Sequence, residues 1–208
     1  MKTETTVIAY DIHDVTEYIN WLYFFHSWGF QPRFATIAQI HGCDACRASW
    51  LASFPKEDIS KAAEAMQLHK EAQRMLNALD GDFKVYAMYR LMDAYADGDD
   101  LLLDGVRFPL LRQQTHVRED DPYLCLSDFV RPLEQGIADT VGAFAATIDE
   151  EMEKPFEDDD YKRMLIKTLG ERLAEAAVEK MHQHIRKHVW GYAPDENLSM
   201  QQLLNEEF

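Results

Sequence analysis

The chain has 208 residues, of which 47% are hydrophobic and 12% aromatic, enough to build a core and too apolar for a disordered segment. Its 37 acidic and 21 basic side chains leave a formal charge of −16, a field that repels phosphate backbones and anionic membranes and so argues against a nucleic-acid partner. No apolar run approaches the ~20 residues that span a bilayer, no basic start and apolar stretch mark a signal peptide, and three cysteines do not make a disulfide framework; a soluble cytoplasmic protein is expected.

In chain order, Val15, Ile19, Leu22 and Phe25 recur at helical spacing and predict a helix over Asp14–Trp28. After a less regular stretch, "PKEDISKAAEAMQLHKEAQRMLNAL" predicts a long helix with Ile59, Ala63, Met66, Met75 and Leu79 on its buried side, ended by Gly81. "FKVYAMYRL" alternates at period two, placing Phe83, Val85, Ala87 and Tyr89 on one face of a strand. "DGDD" and "DG" flank "LLL" as turn signals, so a meander is expected as far as Pro109. "YLCLSDFV" and "DTVGAFAAT" are apolar runs of strand length. Helical spacing returns from Pro155 to Trp190, through Leu165, Leu169, Leu173, Ala176, Ala177, Met181 and Ile185. Ser199 and Gln202 have the spacing of a capping box at the start of a last helix. The order predicts an α+β fold, an antiparallel sheet flanked by long helices, as a single domain over residues 1–208.

Four constellations could carry chemistry. His41-Gly-Cys43-Asp-Ala-Cys46 offers two thiolates and an imidazole. A closed zinc site needs a fourth ligand, and the strand–helix setting of a thioredoxin-like redox pair is missing, so an incidental pair is the plainer reading, with metal and redox roles as alternatives. In "ERLAEAAVEKMH", Glu171, Glu175 and His182 fall on one side of a helix, where carboxylates could serve a ligand or simply a solvated edge. "DIHDVT" resembles the Asp-x-His-x-x-Gly loop of cobalamin-binding domains, but Thr16 replaces the glycine, and chance accounts for it. The acidic run "DEEMEKPFEDDD" reads as a solvated segment leading into a helix N-terminus, without EF-hand spacing.

The stretches "YINWLYFFHSW", "LRQQT", "YLCLSDFVRPLEQGIADTVGAFAAT", "DDDYKRMLIKTLGERLAEAAVEKMHQHIRKHVWGYAPDENLS" and the final helix appear together in one order. In that order they resemble the activation domain at the C-terminus of cobalamin-dependent methionine synthase. The resemblance implies a helix-flanked antiparallel sheet that binds S-adenosylmethionine and docks on a cobalamin-binding domain. There, oxidised cobalamin is reduced by a flavodoxin-type donor and remethylated, so the chain is an accessory to a methyltransferase with no independent catalytic activity. Cobalamin enters only through the partner domain.

Carried over by residue, the resemblance puts Asn20 at an S-adenosylmethionine contact where the family has aspartate. It puts Glu171 and Glu175 at the acidic pair that faces the cobalt-ligand histidine of the docked domain. Residues 30–60, with Cys43 and Cys46, form a divergent insertion. The family's Arg-x-x-x-Gly-Tyr segment does not follow before Phe208, so, with Asn20, weakened S-adenosylmethionine binding is expected, and the separate Met1 without catalytic modules suggests a free-standing protein. The alternatives are a docking or regulatory protein that has lost the ligand, and a small metal or redox protein using Cys43 and Cys46.

Overall fold

Two helices, one of 21 residues and one of 25, dominate the architecture. The computed structural model describes residues 2–40, 42–115, 118 and 120–208. The chain packs as two compact units, one of Met1–Val7 and Met88–Ala145, the other of Ile8–Ala87 and Ala146–Phe208. A five-stranded sheet comprises β1 (Thr6–Asp11), β2 (Lys84–Asp97), β3 (Asp100–Leu103), β4 (Val106–Phe108) and β5 (Asp139–Ile148). Its order is β1-β2-β3-β4, with β5 also paired to β2.

In the first unit, β2, β3 and β4 form the antiparallel meander that the turn signals predict. Ala94 pairs with Leu103 and Asp97 with Asp100, then Leu103 pairs with Val106. The β3–β4 turn is Asp104-Gly105, both at positive φ (50° and 84°), the geometry that matches the twist of a two-residue hairpin. Ala94, Ala96, Leu101 and Leu103 form a small core, with Met92, Leu110, Val130 and Val141 packed on it. "YLCLSDFV" departs from the strand reading. It holds a 3-10 turn, Leu126–Phe129, because Asp128 Oδ2 takes the backbone N–H of Cys125 at 2.9 Å and folds the chain locally. Arg112 then ties the loop down, donating to Asp99, to Asp128 and to the Tyr123 carbonyl at 2.7–2.9 Å.

The second unit is helical: α1 (Ile12–Val15), α2 (Trp21–Ser27), α3 (Pro32–Ala35), α4 (Asp44–Ala52), α5 (Ile59–Leu79), α6 (Asp160–His184) and α7 (Met200–Leu204). The helix expected over Asp14–Trp28 is broken. A 3-10 turn at Thr16–Tyr18 and extended backbone at Ile19 and Asn20 separate α1 from α2. Val15, Ile19 and Phe25 stay buried, but the break rotates α2 and turns Leu22 out to solvent. Met75 and Leu79 of α5 are buried as expected, but the stripe of its first half differs from the expected one. Ala62, Ala65, Leu68, His69 and Ala72 face inward while Ile59 is exposed, because small alanines let neighbouring elements approach.

The last long helix starts at Asp160 rather than near Pro155. Pro155 lies in a 3-10 segment, Glu150–Phe156, and Asp159 caps α6 by accepting the Lys162 N–H at 3.0 Å. Leu165, Leu169, Leu173, Ala176, Ala177 and Met181 are buried as expected. At Gly170, a β-carbon would stand 2.5 Å from Ile148 Cδ1, so the absent side chain lets α6 lie close against the end of β5.

Candidate functional site

Helix α2 opens at Asn20, whose Oδ1 accepts the Leu22 N–H at 3.2 Å. The amide oxygen thus serves as the helix cap, a task that an aspartate would perform equally well. One turn on, Tyr23 stands with its ring 5.9 Å below the Arg172 guanidinium of α6. Arg172 is the centre of this face. Its side chain is only 12% exposed, whereas those of Glu171 and Glu175 are 67% and 57% exposed. Arg172 Nη1 donates to Glu175 at 2.8 Å, and Nη2 lies 3.6 Å from Glu171. Its Nε is buried with no hydrogen-bond partner, a donor left open at a packed position.

Further along α6 stands a third carboxylate, Glu179. Burial raises the Glu179 carboxyl above its ordinary value; Arg186 pulls the other way, and the charges of Glu206 and Glu175 push it up again. His182, placed by sequence beside Glu171 and Glu175, is half-buried, and burial first and Arg186 second lower its basicity. It is thus set in an environment unlike that of the two exposed carboxylates. Helix α6 then runs into a π-helical turn, Ile185–Val189, closed by the Trp190 N–H on the Ile185 carbonyl at 2.8 Å. In that turn Arg186 is buried against Glu196, with Nε–Oε2 at 2.7 Å and Nη2–Oε1 at 3.0 Å.

The remaining sequence candidates resolve differently. Asp11, His13 and Asp14 offer ligand atoms within 4.8 Å of one another. Each already has a partner of opposite or complementary character: Lys84 on Asp11, Asp80 at 2.9 Å from His13 Nδ1, and Lys180 at 3.7 Å from Asp14. The group is an ion-pair network at the start of α1. Cys43 and Cys46 are joined in a disulfide, a state in which neither sulfur is a free thiolate. His41, the third ligand considered, lies outside the described residues.

Sequence reading missed Arg172, Tyr23 and the Arg186–Glu196 pair. The first was legible as an Arg to Glu spacing of three within "ERLAE". The others depend on packing between segments distant in sequence.

The chain matches a family model, "Vitamin B12 dependent methionine synthase, activation domain", over residues 11–208. It is also similar to a solved structure, "Crystal Structure of the MetH Reactivation Domain bound to AdoHcy", at 30% identity and a TM-score of 0.81. The superposition covers 100% of this chain and 62% of the other, so this sequence spans less than two thirds of that relative's length. No helix among the described residues is long and apolar enough to cross a membrane. The family model spans nearly the whole chain and the α+β fold is shared with the similar structure: the chain belongs to the activation-domain family of vitamin B12-dependent methionine synthase.

Proposed function

We propose that this chain binds an S-adenosyl ligand on the face formed by α2 and α6, and that it docks through α6 on a cobalamin-binding partner domain. The observation that carries the reading is Arg172, a nearly buried guanidinium set between a tyrosine ring and two exposed carboxylates. Such a face offers a donor to a ligand carboxylate and acceptors to an ammonium or a ribose diol, which are the polar groups of S-adenosylmethionine. Asn20 adds an amide at the start of α2, and Glu179 and Glu206 add negative field toward a cationic centre. The similar structure is bound to AdoHcy and overlays the whole of this chain.

When bound, S-adenosylmethionine supplies a sulfonium methyl group; the residues here would hold and orient it. Glu171 and Glu175 would stabilise a protonated imidazole presented by the docked domain. Exposed Leu111, Leu126, Phe129 and Ile137 give the first unit apolar surface of the kind a partner covers. A flavodoxin-type protein is the reductant that this role would call for.

Titration calorimetry of the 208-residue chain with S-adenosylhomocysteine and S-adenosylmethionine tests the ligand. Restoring the acidic side chain with Asn20→Asp should tighten S-adenosylmethionine binding about tenfold, the value of one charge-assisted contact. Absence of heat from both the parent chain and N20D would overturn the assignment.

A further inference from the structure

We propose that Cys43 and Cys46 form a redox-active dithiol–disulfide couple that exchanges with thiol reductants. Nothing in the α2/α6 reading depends on it. The two sulfurs are joined across a separation of three residues at the first turn of α4. Both residues are exposed, so an incoming thiolate can reach them, whereas Cys125 is buried. The cross-link has little structural work to do. A disulfide stabilises chiefly by closing a loop in the unfolded chain, and this loop is nearly the shortest possible. Helix α4 is held by other means: Trp50 is buried, donates from Nε1 to Thr36 Oγ1 at 2.9 Å, and meets the Phe54 ring at 4.7 Å. Opening the disulfide would leave that anchored end in place.

Local geometry also separates the two sulfurs. Cys43 is the N-cap of α4, and its Sγ accepts the Cys46 backbone N–H at 3.1 Å. On reduction this donor and the helix N-terminus favour a thiolate on Cys43. Arg47 also lies beside the motif, its Nη2 within 3.4 Å of where a Gly42 side chain would begin, with its charge shared with Asp44 at 3.5 Å. Cys46 has no corresponding cap position.

The exchange is balanced with a dithiol as the two-electron reductant. Its thiolate attacks Cys43 Sγ, the S–S bond breaks, and Cys46 leaves as a thiolate that takes up a proton. The second thiol of the reductant then attacks its own sulfur in the mixed disulfide. Cys43 is released as the thiolate held by the Cys46 N–H, and the reductant becomes a disulfide.

The test equilibrates the full chain with oxidised or reduced dithiothreitol, quenches with iodoacetamide and locates the label by peptide mass. In oxidised dithiothreitol, Cys43 and Cys46 should be unlabelled and linked to each other. In reduced dithiothreitol both should label in the folded protein while Cys125 stays protected. At pH 7, Cys43 in C46S should alkylate about tenfold faster than Cys46 in C43S, following its greater thiolate fraction. The melting temperature of C43S/C46S should lie within about 4 °C of the oxidised parent. Failure to form the link in oxidised dithiothreitol, equal alkylation rates in the two single variants, or a larger fall in melting temperature would each overturn the proposal.

Discussion

Glu196→Gln is the substitution for which the structure sets the clearest magnitude. The Arg186 and Glu196 side chains are 5% and 6% exposed and share two hydrogen bonds, with the Phe208 ring 3.9 Å from the guanidinium carbon. Glutamine keeps the shape and one acceptor but leaves the guanidinium charge buried without its hydrogen-bonded counter-ion, with only the Glu179 charge nearby. Removing one partner of a buried pair costs about 3–5 kcal/mol, and the retained acceptor places this variant near the lower end. For a chain of this size that corresponds to a fall of roughly 6–12 °C in melting temperature. Arg186→Met should cost a similar amount by stranding the carboxylate. The double variant R186M/E196L should recover much of the loss, because packed apolar groups carry no desolvation penalty. The Arg186 hydrogen bond holds the Glu196 carboxyl below its ordinary value. The pair's contribution is therefore full above the ordinary glutamate pKa and is lost as pH falls through the depressed one. Denaturant unfolding of the four proteins at neutral and acid pH measures all of this. An E196Q loss under about 1 kcal/mol at pH 7, the value of an exposed pair, would refute the reasoning.

Burial first, and the Arg47 charge second, lower His69 to about 4, so the parent chain should lose stability as pH falls from about 6.5 toward 4, by up to about 3 kcal/mol. Denaturant titrations of His69→Phe across that range should show a flatter profile. Arg112 is the first cause holding Asp128 to about 2, so the Arg112–Asp128 tie should be full above the ordinary aspartate value and be lost as pH falls to about 2. Arg112→Ala should speed amide exchange around Tyr123–Asp128 at neutral pH with little change in α6. Gly170→Ala places a methyl against the tip of the Ile148 side chain, which must turn aside, while alanine favours the helix by about 1 kcal/mol, so denaturant unfolding should change by less than about 1 kcal/mol. Glu171→Gln/Glu175→Gln should weaken association with a cobalamin-loaded domain most at low salt; equal binding at all ionic strengths would move the contact off this face.

Where local pattern governs, the sequence was a sufficient guide. The period-two run through Val85, Ala87 and Tyr89 is a buried strand face, the Asp104-Gly105 turn closes its hairpin, and Ser199 caps α7 through the Gln202 N–H. Where one side chain redirects the backbone, the pattern misled. Asn20 restarts a helix that hydrophobic spacing alone carries straight through, and Asp128 folds an apolar run into a turn. The site was half legible. Spacing put Glu171 and Glu175 on one helix side and only the family resemblance made them site candidates, while Arg172 between them escaped notice because a basic residue on an acidic helix edge reads as ordinary surface. Its burial against α2 depends on a contact between segments about 150 residues apart, which no window of sequence contains.

That arginine changes what the acidic pair can do. Glu171 and Glu175 alone would present two negative charges to solvent, a field suited to any cation. With Arg172 between them, at 2.8 Å from one and 3.6 Å from the other, the face carries both signs within a few ångströms. A simple cation meets partial repulsion there, and a simple anion meets more. A group that is itself doubly charged, with carboxylate and ammonium close together, meets complementary partners on both sides. The amino-acid end of an S-adenosyl ligand has that form. The same partial neutralisation sets the strength of any imidazolium contact below that of two free carboxylates. Docking through this face is therefore expected to be modest in affinity and less dependent on salt than a contact with two free carboxylates.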